Sequence, residues 1–575
     1  MKIINHSAYQ DQYQVFSERL GPSQEVYRVH LKCDDGGPQP IVLSWRVPIV
    51  GFSYCWQPTA ETDFGFTADW EQAWHIRATQ SVPLFDFFDE DGLSQRLIVL
   101  SDVVHDLDLV MGVHEETAEI SFQLTIPNFG LPSDYRLDIF VSSEVQNFSA
   151  AIRQGVDWLD AVNGEKRLPT PAAAYEPVYS TWYAFHQNVS AAGIDAQLSA
   201  AKKLGLSTII TDDGWQTSDN HRKYAYTGDW EPNASKFPDI AKHVNQVHAQ
   251  GFKYMMWYSV PYIGKHSHLW DRFKGRLLYY DSDQEAGVLD PRFPEVREYL
   301  CETFLKAYHQ WHLDGFKLDF LETFRQLTPA VLPGMDIANV QVAVVALLEK
   351  LWAALNEGDD TPLIEFRQDY IGTVMQRYAN MFRVKDCPNN ALKNRLGILT
   401  MRLLCPDAAI HSDMLMWHQE EYPEQVALQL INCIFGVPQI SVDLAKISKK
   451  QHDVLQFWLR YMRENRTLLM HGELTPYSPQ HLYPVVNCSL ENRQLIVQYA
   501  DDQLLKISRD HDMIDVINGT LTKGVVLDIP QDYGRSMISI YDCSGMLVET
   551  KPLVTVNPIS RLNVPPAGLL RIQRT

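Results

Sequence analysis

The sequence predicts a multidomain chain of α/β and β class: a central (β/α)8 TIM barrel between an N-terminal β-sandwich and a small C-terminal β-sandwich. Three observations predict it. Strand-like apolar runs alternate with helical patterns through the middle of the chain, eight runs within about 290 residues, which is the count and length of such a barrel. The regions before and after are short, alternating and turn-punctuated, a β pattern. A Pro- and Ala-rich stretch, EKRLPTPAAAYEP (165–177), breaks any helix and separates the first two regions.

The N-terminal unit, residues 1–170, reads as all-β from runs such as EVYRVHLKC, QPIVLSWRV, RLIVLSDVV, AEISFQLTI and YRLDIFVSS. The barrel, 171–470, takes its strands from YSTWY (179–183), STIITDD (207–213), KYMMWY (253–258), GFKLDF (315–320), LIEFR (363–367), NMFRV (380–384), AAIHSD (408–413) and PQISVD (438–443). Between them lie helices, the clearest with Val296, Leu300, Phe304, Ala307 and Trp311 on one face. The C-terminal unit, 471–575, returns to β-rich segments such as RQLIVQYA, GVVLDIP, SMISIYDC and GLLRIQR.

Composition narrows the function. With 575 residues, 45% hydrophobic and 21% charged, the chain has the make-up of an ordinary soluble enzyme. A formal charge of −21 argues against nucleic-acid and anionic-membrane partners, because a phosphate-tracking surface needs a basic excess. No apolar run is long enough for a signal peptide or a membrane span, so a cytoplasmic location is expected. The eight cysteines (33, 55, 301, 387, 405, 433, 488 and 543) lack CxxC or metal-ligand spacing and are read as reduced and mostly buried.

Within GFKLDF, Lys317 and Asp319 are two residues apart and therefore share a face, opposite Phe316, Leu318 and Phe320. A buried Lys–Asp pair adds little net stability, so it reads more naturally as a site than as a fold device. The other strand ends carry Asp212, Asp213, Trp257, Glu365 to Gln368, Asp386, Asp413 and Asp443, and the C-terminal strand ends are where such barrels hold their active sites. Converging carboxylates beside Trp182, Trp215, Trp230 and Trp257 suit carbohydrate: aromatic faces stack on sugar rings, and a carboxyl pair is the usual apparatus for glycosidic cleavage. An oxygen-rich metal site is the rival, but HSDMLMWH (411–418) is only a loose His/Asp group and no metal is expected.

The ordered succession STWYAFHQ (180–187), TDDGWQ (211–216), GDWEPN…KFP (228–238), MMWYSVP (255–261), GVLDPRFPEVREYL (287–300) and DGFKLDF (314–320) resembles the α-galactosidases of glycoside hydrolase family 36, in the melibiase superfamily. The resemblance implies a retaining, exo-acting α-galactosidase without a cofactor, acting on an oligosaccharide or glycoside. Asp319 is then the nucleophile and Lys317 the group that keeps it ionised and binds a sugar hydroxyl. Asp386, in the segment MFRVKDCPNNALKNRL (381–396) that also holds Arg383, is the acid/base and needs a raised pKa. Asp386 as a helix N-cap is the competing reading, and Asp413 and Asp443 are the fallbacks.

By the same resemblance Asp212 and Asp213 hold sugar hydroxyls, or one of them braces a loop. Trp182 and Trp257 line the pocket ahead of Trp215, and Trp56 lies on an N-terminal loop that reaches the site. The family pattern breaks at LIEFRQDYIG (363–372), where Glu365, Arg367 and Gln368 replace a Cys- and Gly-rich segment; Arg367 there could read a 2-substituent or an unusual sugar. An α-glycosidase of other sugar specificity, an α-glucosidase of family 31, a transglycosylase, a metal-dependent hydrolase and a non-catalytic sugar-binding protein remain as alternatives, and homo-oligomerisation stays open.

Overall fold

The computed structural model describes residues 1–575 except 7–12, 33–38, 165, 358–360, 531–532 and 554–557. At its centre eight strands close into a barrel: β1 (Val178–Ser180), β2 (Thr208–Thr211), β3 (Lys253–Ser259), β4 (Gly315–Asp319), β5 (Leu363–Arg367), β6 (Met381–Arg383), β7 (Ala409–Leu415) and β8 (Val437–Ile440). All neighbours are parallel, and β1 closes the ring by pairing with β8 through Val178–Gln439 and Tyr179–Ile440. Every strand read from the sequence is present. The first is shorter than expected: after Ser180 the chain turns into a helical turn, Trp182–Phe185, which carries Trp182 outward from the strand end.

Helix Pro294–Trp311 shows why the outer ring forms. Val296, Leu300, Phe304, Ala307 and Trp311 are all buried at 3.6-residue spacing, and Phe304 packs its ring on Phe316 of β4 at 5.6 Å. On β4 itself, Phe316 and Leu318 face this helical layer, while Lys317 and Asp319 face the barrel axis, where polar side chains must find partners.

Among the described residues, two sheets, of five and seven strands, make up the N-terminal unit, and their facing sides form a core of Val29, Leu43, Phe87, Ile98, Phe122 and Leu137. The all-β reading missed one element, the helix Phe148–Asn163. Its apolar positions Phe148, Ile152, Val156 and Leu159 follow helical spacing, and the Asn147 side chain caps it by accepting from Ser149 N. Among the described residues, the C-terminal unit has a seven-stranded and a three-stranded sheet. Its core holds Ile496, Val516, Leu527, Ile540 and Leu570.

The described cysteines are unpaired and buried; Cys33 lies outside the described residues. Among the described residues, no helix is long and apolar enough to cross a membrane.

Candidate active site

Barrel strands β2, β4, β5, β6 and β7 bring one cluster of charges to the C-terminal rim. Lys317 Nζ donates to Asp212 Oδ2 at 2.6 Å, and both side chains are 4% exposed. Asp212 lies one residue past β2, and its Oδ1 accepts the backbone N–H of Asp213, so its carboxylate is fixed from two sides. Asp319 ends β4. Its Oδ2 accepts from the indole of Trp257 at 3.0 Å, and its Oδ1 accepts from Arg367 Nε at 2.7 Å and from Phe320 N at 2.9 Å. Phe320 holds a left-handed φ of 69°, which aims its N–H back at the carboxylate. Burial alone would push the Asp319 carboxyl up, but Arg367, Lys317 and Arg383 together hold it well below the usual range, so it is ionised.

Asp386 follows β6. Arg383 Nη1 lies 2.9 Å from its Oδ1, and the side chain is 55% exposed. Partial burial opposes ionisation, yet the guanidinium outweighs it and keeps this carboxyl below its ordinary value. The direction is opposite to the one a resting general acid needs. The following helix, Ala391–Leu404, is capped by Asn390, so Asp386 is not its N-cap. Asp413, fully buried on β7, accepts from Arg383 Nη1 at 2.5 Å, Tyr183 Oη at 2.9 Å and Cys387 N at 2.6 Å; burial pushes its carboxyl up against the pull of Arg383. Asp413 thus fixes the arginine and the loop that present Asp386.

Other expected residues go elsewhere. Asp213 is buried with both oxygens occupied, accepting from Gln187 and Gln216 at 2.7 Å each, and burial raises it to about 6. It braces the loops after β1 and β2. Trp215 is fully buried and stacked on Trp230, its N–H donated to the Trp257 carbonyl at 2.9 Å. That places it in the core beneath Trp257, not in the pocket. Trp56 is also displaced: its indole is 1% exposed and donates to Tyr483 Oη at 3.0 Å.

Glu365 lies inside the barrel, bonded to Gln439 and 3.7 Å from Arg383 Nε, and burial raises it to about 7. Trp182 is half-buried, with its ring 4.7 Å from His186. Asp443 pairs with Lys446 at 2.9 Å and accepts from Gln197, outside the cluster. In HSDMLMWH, His411 bonds the Ala174 carbonyl, Asp413 bonds Arg383, and His418 faces solvent, so the three do not converge.

The sequence reading missed four residues. Glu322 accepts from Arg367 Nη2. Tyr370 donates to the Leu318 carbonyl at 3.0 Å and approaches Asp319 Oδ1 at 3.4 Å. Tyr183 holds Asp413. Tyr224 stacks on Trp257 at 5.8 Å and on Tyr262 at 5.3 Å, making an aromatic wall beside Asp319. Position was the only available signal: Glu322 and Tyr370 each lie three residues beyond a strand end.

A family model described as Melibiase matches residues 173–472, just over half of the chain. The chain belongs to the melibiase family. Among similar proteins, alpha-galactosidase Mel36A of Lactobacillus acidophilus is 26% identical over 163 residues, 27% of this chain and 22% of that protein. Alpha-galactosidase 1 of Pediococcus pentosaceus is 30% identical over 190 residues, 31% of this chain and 25% of that one. The matches therefore span about a quarter of these relatives' length. The crystal structure of the GH36 alpha-galactosidase AgaA of Geobacillus stearothermophilus, in complex with raffinose, superposes with a TM-score of 0.68 at 13% identity, over 96% of this chain and 80% of that one. The two share a fold.

Proposed function

We propose that this melibiase is a retaining, exo-acting α-galactosidase that hydrolyses terminal α-galactosides by double displacement. The observation that carries the reading is the pair Asp319 and Asp386 at strand ends of the barrel, both under the influence of the Arg383 guanidinium and within the region of the family match. The names of the relatives, alpha-galactosidases, support galactose as the sugar.

In the first step an oxygen of Asp319 attacks the anomeric carbon. The bond to the leaving oxygen breaks, and Asp386 gives that oxygen a proton, leaving a galactosyl ester on Asp319. In the second step Asp386 takes a proton from water, whose oxygen displaces Asp319 from the same carbon. The Arg383 guanidinium beside Asp386 holds its carboxyl low against the effect of its partial burial. A sugar over this group removes its water, and the loss of solvation raises its pKa toward what proton donation requires. Lys317 and Asp212, locked together, offer a donor and an acceptor to sugar hydroxyls, and Tyr224, partly exposed and stacked on the buried Trp257, offers an apolar face. A reducing, cytoplasmic setting belongs to this reading, supported by the buried unpaired cysteines.

The test is hydrolysis of p-nitrophenyl α- and β-glycosides by wild type, Asp319→Ala and Asp386→Ala, with added azide. Wild type should cleave the α-galactoside and both variants should lose turnover. Azide should yield β-galactosyl azide from the first variant and α-galactosyl azide from the second. An active Asp319→Ala, or a preference for another glycoside, refutes the assignment in its mechanism or its sugar respectively.

A further inference from the structure

The geometry of Arg367 gives it a definite task. Its Nε donates to Asp319 Oδ1 at 2.7 Å and its Nη2 to Glu322, so a single planar guanidinium joins two carboxylates. The plane is held between rings, 5.4 Å from the Phe320 centroid and 6.0 Å from that of Tyr370. Glu322 is held in turn by the N-terminal unit, where Arg77 Nη2 donates to the Glu322 carbonyl at 3.2 Å and to Gln80 at 2.6 Å. Ser81 N donates to the Asp369 carbonyl at 2.9 Å, tying the same hairpin to the loop after β5.

Resting on the α-galactosidase reading above, we infer that Arg367 and Glu322 form a positioning clamp that fixes Asp319 through its Oδ1 and leaves Oδ2 as the attacking oxygen. Oδ1 receives Arg367 Nε and Phe320 N, while Tyr370 gives its one proton to the Leu318 carbonyl; Oδ2 receives the neutral Trp257 N–H. A carboxylate oxygen with one neutral donor keeps a lone pair for the anomeric carbon, whereas one that accepts from both a cation and a backbone N–H has its two in-plane lone pairs engaged. Glu322 has a second effect. An arginine aimed at Asp319 alone would draw off the charge that makes it a nucleophile; shared with Glu322, the guanidinium orients the carboxylate at smaller cost to its basicity.

The groups facing Asp319 are Lys317 on its own strand, Arg367 and Tyr370 from β5 and its loop, Arg383 and Asp386 from β6 and its loop, Glu322 from the loop after β4, and Tyr224 across the pocket. Arg367 is the largest of the attractive influences. Its removal therefore has a signature in the pH profile that a purely structural role lacks.

The experiment measures kcat and KM against pH on p-nitrophenyl α-galactoside for the full chain and for Arg367→Gln, Arg367→Lys, Glu322→Gln and Asp319→Ala. In Arg367→Gln the acid limb of kcat/KM should move up by about one to three pH units. Its kcat should fall about 10- to 100-fold, with a much smaller change in KM. Arg367→Lys should restore the acid limb but not kcat, since an ammonium cannot join two carboxylates in one plane. Glu322→Gln should lower kcat without raising the limb. If Asp319→Ala is dead and Arg367→Gln keeps the wild-type limb, the clamp is overturned while the function stands; an active Asp319→Ala overturns the reading beneath it. Should Arg367→Gln fail to fold, unchanged kcat in both Arg367→Lys and Glu322→Gln overturns the clamp.

Discussion

Replacing Lys317 by Met should destabilise the barrel far more than replacing Lys317 and Asp212 together. At 2.6 Å between Nζ and Oδ2 the attraction is about 6 kcal/mol with an effective dielectric of 20. With both groups 4% exposed, most of it is offset in the intact protein by desolvation of the two ions. The single variant keeps the penalty of a buried Asp212 carboxylate and loses the partner, a change of about 3–5 kcal/mol. Lys317→Met with Asp212→Asn removes both charges and should recover most of that loss. Urea unfolding of wild type, both single variants and the double variant, followed by tryptophan fluorescence, gives the coupling as the double-mutant difference. A coupling near zero, with single losses that merely add, would refute the claim that the two charges form one buried unit.

Glu365 predicts a pH effect. Burial raises it to about 7, so the folded protein holds a proton that the unfolded chain has released, and stability falls as pH climbs from the ordinary carboxylate range through 7. Glu365→Gln should remove that part of the loss, roughly 3 kcal/mol between pH 5 and pH 8, read from unfolding at the two values; an undiminished loss argues against it. Trp257→Phe keeps the ring but deletes the N–H that positions Asp319 Oδ2, and kcat should fall about 10- to 100-fold through the lost orientation of the carboxylate. A variant with wild-type kcat would show that this hydrogen bond does not matter to the nucleophile.

Much of the fold was legible because local patterns repeat the physics of packing. The eight strands and the Val296–Trp311 stripe follow from period 2 and period 3.6, whichever neighbours they meet. Helix Phe148–Asn163 escaped because its stripe lies in a region dominated by alternating strands. At the site, alternation alone set Lys317 and Asp319 on one face, and the turn chemistry of DDGW marked a strand end.

What the sequence could not give was depth and partnership. Glu365 and Arg367 share a face of β5, yet about 6.6 Å of strand separates them. The register of the closed barrel sends Glu365 to Gln439 in the interior and Arg367 to Asp319 at the rim. Trp215 and Trp257 look alike as tryptophans near strand ends, and both are buried; only the packing gives the Trp257 N–H to Asp319 and the Trp215 N–H to the Trp257 carbonyl. The ionisation of Asp386 likewise depends on Arg383, which Asp413 aims from the next strand. Periodicity along a chain reports which face a side chain takes; which charge it meets there depends on strands brought together from distant parts of the sequence, and only the closed barrel decides it.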